Sequence, residues 1–178
     1  MRKYLSIANV IGAAILILGL VTYIAVRNPR SLSVVNSPGR QVQDVGPHEV
    51  KLRLYFAKPD GKAFLVEKRQ VLLNEGESVY QRALDELVKG PKSSGEPIVP
   101  AGAKTPTVYV SGDTAYVDLP AEYLKLGYGT TGETILIYGI ANTILDQGPL
   151  EEVWFTVAGK PAATLGHLSL EQPIRRRK

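Results

Sequence analysis

Residues 127–134, GYGTTGET, are the sequence's nearest approach to reactive chemistry. Gly127, Gly132 and Thr134 stand where a phosphate-binding loop, G-x-x-x-x-G-K-[ST], would place them. In that loop backbone N–H groups cradle the phosphates and the lysine neutralises them. Glu133 occupies the lysine position, and a carboxylate there repels the ligand. The same residues read better as a helix start. Thr130-Thr131-Gly132-Glu133 fits the T-x-x-E capping box, with the Thr130 hydroxyl accepting the Glu133 N–H and the Glu133 side chain reaching back. A carboxylate is also favourable at the positive end of a helix. The stretch is predicted to be a cap.

Two further constellations invite a chemical reading. Asp118 and Glu122 flank Leu119-Pro120 and could act as a general acid–base pair in an envelope hydrolase. No partner residue accompanies them, and Asp118 ends a strand while Glu122 decorates a helical turn. His48 and His167 sit at opposite ends of the folded region, with no H-E-x-x-H spacing and no G-x-S-x-G elbow. The chain has no cysteine, which removes disulfides, thiol catalysis, cysteine-ligated metals and an acylated lipoprotein anchor. No catalytic residue, cofactor or metal site is expected.

Binding is the better prospect. Ile135 to Leu145 is a helical run without a charge, in which Gly139, Asn142, Thr143 and Asp146 gather on one side with Ile135. A surface helix carries a wider polar face than this, so the run either fills the core or meets a partner. The candidate interaction surface is Tyr128, Thr130, Glu133, Gly139, Asn142 and Thr143. A small-ligand or cell-wall-glycan module would instead use exposed aromatics such as Tyr109, Tyr116, Tyr123 or Tyr128.

These residues need a scaffold, and the pattern supplies one. Val50, Leu52, Leu54 and Phe56 alternate with polar neighbours as a half-buried strand does. Pro59-Asp60-Gly61 turns the chain and Ala63–Leu73 returns. Ser78 and Gln81 fit a capping box, and Val79, Ala83, Leu84, Leu87 and Val88 share one helix face. Arg82–Glu86 and Asp85–Lys89 are spaced for exposed ion pairs, and Gly90-Pro91 ends the helix. Thr107–Ser111 and Thr114–Leu119 flank Gly112-Asp113 as a hairpin. A second helix runs to about Gln147, and Glu152–Val157 is a further strand. The order strand, strand, helix, strand, strand, helix, strand makes the expected fold α+β, with two helices on one face of a mostly antiparallel sheet.

The remaining sequence concerns location. Tyr4–Val26 is free of charge and long enough, at about 1.5 Å per residue, to cross a hydrocarbon core of roughly 30 Å. Residues 1–26 are read as a cytoplasmic stub and transmembrane signal anchor, 27–48 as a flexible Pro- and Gly-containing tether, 49–173 as the domain, and 174–178 as a basic tail. Arg2 and Lys3 before the span are balanced by Arg27 and Arg30 after it, so charge leaves the topology open. The tail, Arg175-Arg176-Arg177-Lys178, is either solvated or an electrostatic foot on anionic lipid or polymer. Nine of the 21 bases lie outside residues 48–174, but only Asp44 of the 17 acids does, leaving the body at about −4. That argues against a nucleic-acid partner.

The set of motifs resembles the GerMN domain, the sporulation and spore-germination domain of bacterial envelope proteins. The matching pieces are VKLRLYFAKPDGKAFLVEKRQV at 50–71, ALDELVKGP at 83–91, IVPAGAKTPTVYVSGDTAYVDLPAEY at 98–123, GETILIYGIANTIL at 132–145 and EEVWFTVAGKP at 151–161. The resemblance implies a compact, βαββαβ-like, non-enzymatic domain outside the cytoplasm and tethered to the cell membrane, which Tyr4–Val26 would cross in a single pass. It also implies work in assembling an envelope complex, with a protein partner or further copies of itself. Many relatives are lipoproteins and some carry two such domains; this chain has one, and its own apolar segment would replace the lipid.

Overall fold

The computed structural model describes residues 46–175. The expected transmembrane anchor, nearly all of the tether and the end of the basic tail lie outside the described residues. Among the described residues no helix is long and apolar enough to cross a membrane.

The chain opens with an antiparallel hairpin, β1 (His48–Ala57) and β2 (Phe64–Leu73). Alternation does what it predicts: Leu52, Leu54 and Phe56 are fully buried, while Lys51 and Arg53 face solvent. Helix α1 (Val79–Val88) follows, then the hairpin β3 (Thr107–Ser111) and β4 (Thr114–Leu119). A 3-10 turn over Ala121–Lys125 leads to helix α2 (Gly129–Leu145). The chain finishes with β5 (Glu152–Val157) and two short strands, β6 (Lys160–Pro161) and β7 (Ile174–Arg175).

The α+β class, both helices and the mostly antiparallel pairing are as expected, but the single sheet is not. The strands form two sheets, β1–β2 alone and β3-β4-β5-β6 with β7 also on β5. The central pair β4–β5 is parallel, in the register Ala115↔Val153, Val117↔Phe155, Leu119↔Val157. Period-2 alternation reports which face is buried and is blind to the direction of the neighbouring strand. Both helices pack on β1 and on each other; α1 also reaches β3, and α2 reaches β5. The core closes where Leu84 and Leu87 of α1 and Ile137, Ile140 and Ile144 of α2 join the inner faces of the two sheets.

Helix α2 also closes one edge of β1. The Tyr55 N–H donates to Thr143 Oγ1 at 3.1 Å, and Gln147 Nε2 donates to the Arg53 carbonyl at 2.9 Å. Beyond them, Ala57 exchanges backbone hydrogen bonds with Glu96 at 3.1 and 2.7 Å. Such contact demands a close approach, which Gly139 permits. A Cβ there would come within 2.5 Å of Ile98 Cδ1 and 3.2 Å of the Tyr55 carbonyl oxygen.

The first capping box is half right. Ser78 is the N-cap and its hydroxyl accepts the Gln81 N–H at 3.4 Å. The Gln81 amide does not reach back. It ties α1 to the start of β3, donating to Pro106 O at 3.1 Å and accepting the Val108 N–H at 3.0 Å. Of the two expected ion pairs, Arg82–Glu86 forms and Asp85–Lys89 does not. Glu86 is buried, so Lys89 turns from Asp85 to Glu86 at 2.6 Å, and Arg82 sits 3.8 Å from the same carboxylate.

Candidate interaction groove

A cavity of about 860 Å³ lies between the tip of the β1–β2 hairpin and the outer side of α2. The helix lines it with Thr131, Thr134, Ile135, Tyr138 and Asn142, spaced by threes and fours so that they share one stripe. The hairpin contributes Tyr55 and Phe64, whose rings meet edge-to-face with centroids 6.0 Å apart. The Tyr55 hydroxyl donates to Asp146 Oδ2 at 2.6 Å, and Arg53 Nε lies 2.9 Å from the same oxygen. Burial, reinforced by Asp146, pushes the Tyr55 phenol above its ordinary range. The aromatic wall is therefore fixed in place. A concave, mostly apolar site with a few oriented polar groups is the usual form of a binding site.

A second, smaller cavity of about 180 Å³ holds Glu133. Here the expected cap is corrected. Helix α2 starts at Gly129, its N-cap position is Tyr128, and no side chain caps it. Gly129 has φ +64°, a backbone state that glycine adopts freely, and it lets the helix begin before Thr130 can serve as cap. Thr130 is consequently inside the helix, where its carbonyl accepts the Thr134 hydroxyl at 2.7 Å. Glu133 is 6% exposed and points away from the helix start. Its Oε2 accepts the N–H groups of His167 at 2.8 Å and Leu168 at 2.9 Å, and its Oε1 meets His167 Nδ1 at 3.0 Å. Burial alone would raise this carboxyl, but the His167 ring and the two N–H groups hold it below the usual carboxylate range. Glu133 is a latch on the C-terminal segment.

The six residues expected to form one surface thus separate. Thr130 and Asn142 line the groove. Tyr128 and Glu133 line the small cavity. Gly139 and Thr143 are buried against the hairpin, so the face they mark is a packing face. Sequence reading missed Tyr55, Phe64 and Lys62, which reach the groove only because the hairpin folds onto α2. The one local signal was Gly139, a residue without a side chain at the centre of an apolar helix.

The other candidates have structural work. Asp118 Oδ1 accepts the Thr156 hydroxyl at 2.6 Å and the Gly159 N–H at 2.7 Å, holding the turn after β5. Glu122 accepts the Lys104 N–H at 2.8 Å. Among the described residues no three His, Cys, Asp or Glu side chains gather as a metal site would require. Of the four tyrosines, Tyr123 is buried and donates to Lys104 O at 3.1 Å, and Tyr128 is half-buried. Tyr109 and Tyr116 are 64% and 43% exposed and directly opposed across β3–β4. Trp154, which the sequence reading passed over, stands beside Tyr116 on β5 and completes a row of three aromatics on the outer sheet face.

Solved structures share this fold. A protein from Clostridium perfringens described as a candidate lipoprotein superposes with a TM-score of 0.51 at 22% identity, over 77% of this chain and 93% of that one. The first GerMN domain of the sporulation protein GerM from Bacillus subtilis gives a TM-score of 0.57 at 19% identity, over 71% and 98%. The tandem GerMN domains of the same protein give 0.57 at 20% identity over 72% of this chain, which spans 47% of that structure. No curated protein matches significantly. A family model, Germane (sporulation and spore germination), matches residues 53–163, from the middle of β1 to just past β6. That is well over half of the chain, and the chain belongs to the Germane family.

Proposed function

We propose that the chain is a membrane-tethered, extracytoplasmic interaction module of the bacterial cell envelope, acting in sporulation or spore germination without enzymatic activity. Family membership supports the setting. The charge-free segment Tyr4–Val26 supports a single-pass anchor in the cell membrane. The observation that carries the docking role is the groove between hairpin tip and α2, with its aromatic wall held by Asp146. Its partner is another protein or a second copy of the chain. Thr131→Trp and Asn142→Trp fill the groove with uncharged bulk. Both are expected to abolish partner capture from membrane extracts while leaving the melting temperature of the exposed Thr131 variant within a few degrees. Unchanged capture by both variants removes the groove from this role.

A second reading, a glycan-binding module, is favoured by the Tyr109–Tyr116–Trp154 row. Adjacent strands lie about 4.8 Å apart, so three rings present a platform roughly 10 Å across on which flat apolar faces can stack. On this reading Tyr116→Ala lowers retention of the protein on purified cell-wall glycan by about tenfold or more. Equal retention of the variant eliminates it.

A further inference from the structure

Resting on the docking role of the groove, we infer that its occupant is an extended, acidic peptide segment of a partner protein. Charge carries the argument. Residues 48–174 hold about four more acids than bases, so most of the domain repels an acidic partner. The groove reverses that balance. Its lining includes the bases Lys62 and Arg175 against one acid, Asp146. Asp146 is matched by Arg53 at 2.9 Å and the Tyr55 hydroxyl at 2.6 Å, and Arg175 by Glu152 at 3.1 Å, which leaves Lys62 as the lining charge with no ion-pair partner among the described residues. Lys62 stands exposed on the hairpin tip with Lys58 close by in sequence, while Asp60 turns Oδ1 to the Lys62 N–H at 3.0 Å. A positive site on a negative domain steers an anionic segment toward itself and away from the rest of the surface.

Shape selects the form of the occupant. From Thr130 to Asp146 the helix runs about 24 Å at 1.5 Å per residue, the length of roughly seven extended residues. Alternate side chains of such a segment face opposite ways. One set can rest on Tyr55, Phe64, Ile135 and Tyr138 while its carboxylates approach Lys62. Thr131 and Asn142 offer hydrogen-bonding groups to its backbone. A neutral glycan gains nothing from Lys62.

The full chain, kept in detergent, is panned against a random octapeptide library, and recovered peptides are remade and titrated. The expected recovery is peptides in which Asp or Glu alternates with apolar residues. Their affinity falls about tenfold in Lys62→Glu and declines as salt is raised, and it is lost in Thr131→Trp. Recovery without charge preference, recovery of basic peptides, or undiminished binding by Lys62→Glu overturns the proposal, as does a neutral oligosaccharide displaced by Thr131→Trp. If the groove-filling variants abolish partner capture but no acidic peptide is recovered, the docking surface stands and the acidic occupant falls. If capture survives those variants, both fall.

Discussion

Replacing Arg69 with alanine is expected to cost the domain about 4 kcal/mol, the range seen when one member of a buried ionic cluster is removed. Arg69 is 5% exposed on β2 and joins three parts of the chain. It donates to Glu67, to both the carboxylate and the carbonyl of Glu86, and to the Gly90 carbonyl at 3.0 Å. Its guanidinium also lies 5.8 Å from the centre of the Phe56 ring. Without it, two carboxylates stay in the interior with less compensation, and the end of α1 loses its tie to the hairpin. Burial alone would push Glu67 up, yet Arg69, the Ser93 hydroxyl and the Lys92 N–H hold it at about 2. That depressed value stabilises the fold above about pH 4.5 and is lost as pH falls toward 2. In the alanine variant the same carboxyl moves upward and is relieved by protonation. The stability gap, read by urea unfolding, therefore narrows between pH 7 and pH 4. A constant gap means the cluster is not coupled as the geometry implies.

The second large effect belongs to Glu133. Glu133→Ala is expected to cost about 3 kcal/mol, because it strands the N–H groups of His167 and Leu168 and opens space beside α2. Hydrogen exchange should locate the damage, with protection lost first at those two amides. The wild-type carboxyl lies below the ordinary glutamate value of 4.5, so its contribution is complete above that pH and disappears as pH falls through the folded value. Glu133→Gln keeps an acceptor oxygen and loses the charge. It should cost less than the alanine change and remove this share of the acid sensitivity. Unchanged protection at His167 and Leu168 in Glu133→Ala rules out the latch.

What could be read from sequence follows the range of the interactions involved. The hairpins, both helices and β5 were legible because period and turn chemistry are local: Val50 to Phe56 alternate, and Gly112-Asp113 turns within itself. Ser78 was legible as a cap for the same reason. The T-x-x-E at Thr130 was misread because its meaning depends on where the helix begins and on what Glu133 meets. Its partner, His167, lies 34 positions away. Likewise Gln81, placed to reach back to its own cap, is recruited by Pro106 and Val108 instead.

The site was legible only in part. Thr130 and Asn142 were found because the uncharged helix drew notice, but so were Gly139 and Thr143, which the hairpin covers. A helical wheel shows which residues share a face and not what lies across from that face. Tyr55 is the clearest case. Its side chain sits on the polar side of β1, and only the fold turns it into the groove's aromatic wall.

The parallel pairing of β4 with β5 has a consequence for timing. The two hairpins can form from neighbouring residues, but β4 and β5 pair at a separation such as Thr114 to Glu152, with all of α2 between them. Contacts of that range form late, because the intervening loop must be closed first. The groove draws on residues from Tyr55 to Arg175. Its lining is complete only once Arg175 of β7, paired with Glu152 of β5, has taken its place.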